Sequence, residues 1–366
     1  MFEQFSPTTK TNWKSQIEKD LKGKPYHDLI WKLNEDLSLE PFYTREEIGF
    51  AEPLAQRSDN NWHIAEKIEI NDCKVANKVA LECLLGGADA LELSISRKLA
   101  DHEIEQLFLD IEVPLIDVHF NFHSSEIDEI QSFAITFQQI LQTRGNDVKK
   151  VNGSISFPLQ DSSTQWLKIK DLLIWVNIHL PRFQILNVNA SNAAVVQDQL
   201  LHSIQQGVLI IDKLSELGVT LPDIHKNIRF HLAIGKRFFE QIAAIRALKL
   251  VWLHVQKAYE ILHLEIPPIS ATFSEKDYDE NQNTNMIRAT TIALSAALGG
   301  VDCLVVMPAD LLGETAFQRR IARNVQHLLK MESYIDRVAD PAAGAYYIEQ
   351  LTHEFARQVW EKFRQI

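Results

Sequence analysis

Two histidines in one short apolar segment are the first residues whose type and spacing could do chemistry. His119, Asn121 and His123 alternate, which puts both imidazoles on one face of a strand. Two imidazoles could begin a metal site, but no third ligand lies nearby in sequence, so a hydrogen-bonded interior network is favoured. The sequence shows no Ser-His-Asp or Cys-His order and no G-x-S-x-G motif. It therefore gives no indication of an enzyme that uses a serine or cysteine nucleophile.

Two further groups of polar residues border predicted strands. Acidic residues cluster at Glu275, Asp277, Asp279 and Glu280, after the seventh strand. A carboxylate pair there could be catalytic, since loops after barrel strands carry chemistry, but a solvated acidic loop is favoured. The segment Asp223-Ile224-His225 precedes the sixth strand and is predicted as a loop at the opposite end of the barrel.

Small polar residues recur at every second position of several predicted strands. The candidates for the inner lining are Ser94, His119, Asn121, Ser154, Asn187, Asn189, His231 and Thr272. In a barrel the outer face meets apolar helices, so the polar face must point inward. A polar interior costs free energy unless its groups are hydrogen-bonded or hold a ligand. Two interpretations stay open: an axis that passes a long polar ligand, or an interior closed by mutual hydrogen bonds and buried water.

Strands and helices alternate from about residue 62. The predicted strands cover 62–70, 90–95, 114–122, 151–157, 183–189, 228–234, 268–273 and 303–307. The predicted helices cover 74–85, 104–109, 126–141, 165–179, 193–217, 237–262, 285–298 and 315–329. Eight units of this kind predict an α/β fold, a (β/α)₈ TIM barrel. No G-x-G-x-x-G or G-x-x-x-x-G-K-[ST] follows a strand, which disfavours a doubly wound nucleotide-binding sheet.

The two ends of the chain differ from the barrel. We expect an N-terminal arm over 1–55, a barrel over 56–335 and a C-terminal extension over 336–366, the last with a strand or turn and a helix. A short helix carrying Trp13, Ile17 and Leu21 is followed by an irregular aromatic segment. Such a segment packs on another surface, either of this chain or of a partner that it wraps.

Composition excludes several function classes. The 366 residues carry 37 basic and 49 acidic side chains, hence 37 − 49 = −12, which argues against nucleic-acid binding. The three cysteines form no CxxC pair, so no zinc site or disulfide framework is expected. The most apolar window, 172–180, is too short to cross a bilayer, and the N-terminus does not resemble a signal peptide. We expect a cytoplasmic protein without membrane contact.

Three stretches resemble the methylmalonyl-CoA mutase family. The segment from Phe317 to Gln326, continued at 340–352, is similar to the family's R-I-A-R-N-x-Q and D-P-x-G-G-S-Y-Y-x-E-x-L-T. Residues 239–252 are similar to F-x-E-I-A-K-x-R-A-x-R-x-x-W, and 285–290 to N-N-x-x-R-T. The resemblance covers nearly the whole chain. It implies an adenosylcobalamin-dependent radical isomerase of methylmalonyl-CoA and succinyl-CoA, whose barrel threads the pantetheine chain of coenzyme A along its axis.

The chain departs from the family at the positions that the family uses for catalysis. The family's steering tyrosine falls at Lys67, the neighbouring arginine at Ala65, and the substrate-binding histidine at Ile269. The cobalamin motif D-x-H-x-x-G is absent, because Asp223-x-His225 is followed by Ile228 where glycine belongs. We therefore predict no catalytic residue, no bound metal and no cobalamin-binding domain.

These departures are typical of the small, catalytically silent subunit of a heterodimeric mutase. Its partner would be a large catalytic subunit, which carries the adenosylcobalamin and any acyl-CoA. Two alternatives stay open: an active acyl-CoA mutase subunit that uses a separate cobalamin protein, and a repurposed polar barrel that binds another extended ligand.

Overall fold

The computed structural model describes residues 8–34, 37–44, 46–47, 57–191, 195–310 and 315–365. Eight parallel strands surround a common axis. They are β1 (His63–Glu69), β2 (Ala90–Ile95), β3 (Asp117–Phe122), β4 (Asn152–Ser156), β5 (Phe183–Gln184 and Leu186–Asn189), β6 (Ile228–Ile234), β7 (Ile269–Phe273) and β8 (Cys303–Val305). β8 pairs with β1, and β5 joins β4 to β6, so the sheet closes into the predicted TIM barrel.

Helix α1 (Lys10–Asp20) lies in the arm and has no buried residue. The helices around the barrel are α2 (Cys73–Leu85), α3 (Asp101–Leu107), α4 (Ile127–Thr143), α5 (Ser163–His179), α6 (Val196–Glu216), α7 (Leu221–Asn227), α8 (Phe238–Ala258), α9 (Gln282–Gly299) and α10 (Ala316–Met331). Helix α11 (Tyr346–Phe363) packs on α6 and α8. Among the described residues, no helix is long and apolar enough to span a membrane.

Local chemistry sets where these helices begin and end. The side chain of Asp72 accepts a hydrogen bond from the backbone of Val75 and caps α2. Gly300 ends α9 in the left-handed conformation, at φ +80°, which glycine adopts without steric cost.

The main core lies between the strands and the helices. It includes a cluster of aromatic rings at Phe108, Phe120, Phe133, Phe137 and Phe183, with centroids 4.8–6.5 Å apart. Phe120 on β3 and Phe183 on β5 point into this core, and Phe133 and Phe137 reach it from α4. The alternate residues of the strands must therefore point toward the axis.

Three predictions of local structure were wrong. β5 is split at Ile185, so that one part pairs with β4 and the other with β6. The segment Asp223–His225 lies in helix α7, which Thr220 caps and in which Pro222 occupies the first turn. The helix predicted to reach residue 262 ends at Ala258. The C-terminal segment forms a turn at 341–344 followed by α11, as one of its two predicted forms required.

The described part of the arm packs on this chain. Leu37 and Leu39 are buried in the main core, and Tyr43 lies 6.0 Å from the ring of Tyr347 on α11. Trp31 and Phe42 are exposed. Positions 1–7, 35–36, 45 and 48–55 of the arm lie outside the described residues.

Candidate functional site in the barrel axis

Side chains of neighbouring strands form hydrogen bonds to one another inside the barrel. The amide of Asn121 on β3 donates to the carboxylate of Glu92 on β2 at 2.7 Å. A ring nitrogen of His119 lies 3.0 Å from the hydroxyl of Ser154 on β4. On the other side, His231 on β6 lies 2.9 Å from the hydroxyl of Ser270 on β7. These residues alternate with outward-facing core residues, so they belong to the inner face.

One contact crosses the axis. Arg229 on β6 places Nη2 3.4 Å from Nε2 of His119 on β3, and these strands are separated by β4 and β5. Both side chains are buried, with 5% and 4% of their surface exposed. This contact lies across the path that an extended ligand would take along the axis.

The buried histidines are neutral. Burial, followed by the charge of Arg229, holds the pKa of His119 well below its usual value. Burial also lowers the pKa of His231, and this effect outweighs the charge of Glu92, which acts to raise it. The neutral imidazole of His119 can accept a hydrogen bond from the guanidinium of Arg229, whereas a protonated imidazole could not.

The other lining candidates lie at different depths. Ser94 is buried, and the amide of Asn187 donates to the carbonyl of Ile155 at 2.8 Å. Thr272 is half-buried, on the same face of β7 as Ser270. Asn189 is exposed at the end of β5 and accepts hydrogen bonds from Ser191 instead of lining the axis.

A charged group occupies the barrel mouth at the carboxyl ends of the strands. Lys67 on β1 lies 3.0 Å from Glu69. Burial disfavours its charged form, but the bond to Glu69 and the charges of Glu92 and Glu275 raise the pKa of Lys67. The side chain that stands where the resemblance places a tyrosine is thus an ammonium, which has no phenolic oxygen to offer a substrate.

The other two positions singled out by the resemblance are apolar. Ala65 faces the axis in a small cluster with Ala90, Cys303 and Val305. Ile269 is fully buried in the core between the strands and the helices, so it points away from the axis. Its neighbour Ser270 points inward, and the imidazole nearest to that position comes from His231.

The acidic cluster after β7 is held by basic neighbours. Asp277 lies 3.4 Å from Lys236, and Asp279 lies 3.4 Å from Arg288. His123 is exposed beyond β3. Within the described ranges, no three His, Cys, Asp or Glu side chains are placed to hold a metal ion.

His225 does not fit the role of a cobalamin ligand. It lies on α7 before β6, at the end of the barrel opposite the mouth, and its ring is 5.8 Å from that of Trp252. Both ring nitrogens are buried without a hydrogen-bond partner, and burial lowers the pKa of His225 to about 4. No step of a reaction is therefore assigned to cobalamin on this chain.

Residues from two of the three resembling stretches meet outside the barrel. The guanidinium of Arg246 on α8 pairs with Asp340 and lies 2.7 Å from Glu349 on α11. Glu349 also accepts a hydrogen bond from the backbone of Gly344 at 2.9 Å. This ion cluster joins the C-terminal helix to the barrel, so these residues of the motif are structural.

A second set of motif residues attaches α10 to β1. Arg323 donates to Glu66 at 2.6 Å and to the carbonyl of Gly86 at 2.9 Å. The indole of Trp62 donates to the amide oxygen of Gln326 at 3.0 Å. Sequence reasoning did not find these pairs, because their members are more than 200 positions apart; the shared motif was the only signal for them.

Comparison with known proteins agrees with this architecture. Residues 127–366 match the family model described as methylmalonyl-CoA mutase. The chain belongs to the methylmalonyl-CoA mutase family. It is 30% identical to a methylmalonyl-CoA mutase small subunit of Porphyromonas gingivalis, over 99% of this chain and 63% of that protein.

Other relatives in the family are more distant. The chain is 26% identical to a methylmalonyl-CoA mutase small subunit of Streptomyces virginiae, over 99% of this chain and 64% of that protein. It is 24% identical to a methylmalonyl-CoA mutase of Cereibacter sphaeroides, over 97% of this chain and 58% of that protein. The chain thus spans about three fifths of the length of these relatives.

Proposed function

We propose that this chain is the small, catalytically silent subunit of a heterodimeric, adenosylcobalamin-dependent methylmalonyl-CoA mutase. The holoenzyme would interconvert methylmalonyl-CoA and succinyl-CoA in the cytoplasm, and its large subunit would supply both the cobalamin and the substrate site. The observation that carries the proposal is the contact between Arg229 and His119, which occupies the axis along which the family threads its substrate.

The composition of the mouth supports the same proposal. Lys67 and Ala65 replace the tyrosine and arginine that the resemblance places there, and His225 does not fit a cobalamin ligand. The ammonium of Lys67, paired with Glu69, lies at the mouth. A cofactor with a hydrophobic face could cover the mouth only by removing water from these charges, which costs free energy.

The names of the small-subunit relatives support pairing with a larger chain. The exposed arm residues Trp31 and Phe42 are candidates for that interface, since aromatic side chains are enriched in interface cores. The test is co-expression with the large mutase subunit of the same organism, followed by size-exclusion chromatography. We expect a 1:1 complex with the native pair, and weaker retention when Trp31 and Phe42 are both changed to serine. A large subunit that elutes alone in every preparation would overturn the proposal.

A second candidate function is an acyl-CoA-binding subunit, since His231 brings an imidazole next to the position where the resemblance places the substrate-binding histidine. Calorimetry with methylmalonyl-CoA and succinyl-CoA separates the two. We expect no binding by the native chain, because Arg229 occupies the axis. If the axis is blocked by this side chain alone, Arg229→Ala gains weak binding, while Arg357→Ala on the exposed surface of α11 does not. Binding of either ester by the native chain would favour the second function.

A further inference from the structure

A cavity beside Lys249 lies outside the barrel axis, at the amino ends of the strands. Its volume is about 780 Å³. Charged groups line it together with the loop that follows α8. This loop contributes Leu262, which is exposed, and the half-buried side chains of Leu264 and Ile266, which we call the apolar wall. A cavity of this size can hold a small organic molecule.

Lys249 is the cation of this cavity that lacks a carboxylate. Its ammonium donates to the carbonyls of Gly299 at 3.0 Å and Gly300 at 2.6 Å, at the end of α9. The side chain is buried, and it forms no ion pair with a carboxylate of the described chain. A buried charge without a counter-ion is costly, so this position is electrostatically incomplete.

The charged neighbours of Lys249 are already engaged. Arg57 pairs with Asp302, and Arg246 pairs with Asp340 and Glu349. The Nε atom of Arg246, a residue that is 3% exposed, has no partner, and neither has Oδ2 of Asp340.

These surroundings favour the neutral amine of Lys249. Burial and the charges of Arg57 and Arg246, opposed by Asp340, lower the pKa of Lys249 to about 7. A bound anion would supply the missing counter-charge and would favour the protonated amine.

We propose that this cavity binds a small organic anion, a carboxylate or a phosphate ester, whose charged group pairs with Lys249 and whose apolar part packs on the apolar wall. The proposal is independent of the proposed function, because the cavity does not contact the axis or the mouth. Binding couples to proton uptake: the anion raises the proton affinity of the amine, so affinity is highest below pH 7 and falls as the pH rises above it.

Calorimetry with benzoate and phenyl phosphate on the full chain tests this site. Benzoate keeps one charge between pH 6 and 8, so it reports the amine alone, and we expect its affinity to fall up to about tenfold between these values. Measurements in buffers of different ionisation enthalpy should show uptake of about half a proton at pH 7. His263 and Glu265 also line the cavity, and the pH dependence should persist in His263→Gln.

Matched variants distinguish an anion site from a structural lysine. Lys249→Arg restores the residue that the family motif has here and keeps the charge, so we expect benzoate binding without proton uptake. Lys249→Met should weaken binding at least about tenfold, whereas Lys257→Met, on the exposed face of the same helix, should leave it unchanged. Circular dichroism checks the folding of each variant. Absence of binding by folded native chain with both probes, or benzoate binding whose proton uptake survives in Lys249→Arg, overturns the proposal.

Discussion

Removing the cation from the ion cluster that holds α11 should destabilise the protein strongly. In Arg246→Met, a side chain that is 3% exposed loses its contacts with Asp340 and Glu349, whose side chains are 12% and 4% exposed. Methionine restores most of the packing volume, so the main effect is that two buried carboxylates are left without a counter-charge. Breaking a buried pair in this way costs about 3–5 kcal/mol.

The control is a guanidinium on the outer face of α11. Arg357 pairs with Glu354 and Glu361, both at 2.8 Å, but its side chain is 52% exposed. Solvent-exposed ion pairs contribute about 0–1 kcal/mol, so Arg357→Met should cost no more than that. The two variants make the same chemical change at sites that differ in burial.

Equilibrium urea unfolding followed by circular dichroism gives both free-energy differences. The reasoning is refuted if Arg246→Met and Arg357→Met lose the same free energy of unfolding.

Three further predictions concern the barrel. The carboxylate of Asp89, 3.6 Å from Nδ1 of His63, raises the pKa of this histidine despite burial. The protonated imidazole therefore stabilises the fold below about pH 6.5, and this stabilisation is lost as the pH rises through the folded pKa. The urea midpoint of His63→Gln should lack this loss between pH 6 and 8. Trp62→Phe leaves Gln326 without its indole donor and should cost about 1–3 kcal/mol in urea unfolding; an unchanged midpoint would contradict this. A Cβ on Gly153 would lie 2.1 Å from a backbone oxygen, whereas Gly218 meets nothing within 4 Å, so the melting temperature should fall more in Gly153→Ala than in Gly218→Ala, in which only φ is strained.

Much of the fold could be predicted because the barrel repeats one local pattern. β2 and β6 have the predicted bounds, since each is a short run with apolar residues on one face and turn residues at its ends. The split of β5 could not be predicted, because it depends on the stagger between β4 and β6. Helix α7 was missed because the segment Asp223-Ile224-His225 was assigned to a loop, although the preceding Pro222 fits the first turn of a helix.

The candidate site was predictable only in part. Alternation placed His119, Ser154 and Asn121 on one face, but it could not tell whether opposite strands touch. The crossing contact of Arg229 depends on the barrel diameter, which no local pattern contains. Lys249 was not singled out from the sequence, because its surroundings come from distant parts of the chain. Its hydrogen-bond acceptors Gly299 and Gly300 lie about 50 positions away, and Arg57 lies about 190 positions away.

The most direct test of the silent-subunit account is an isomerase assay on the purified chain and on its complex with the large subunit. Succinyl-CoA formed from methylmalonyl-CoA is measured with adenosylcobalamin present. The account predicts no product from this chain alone, turnover by the complex, and undiminished turnover when the complex contains Lys67→Ala or His231→Gln. Product formation by the chain alone, or loss of turnover in a complex that assembles normally with either variant, would contradict it.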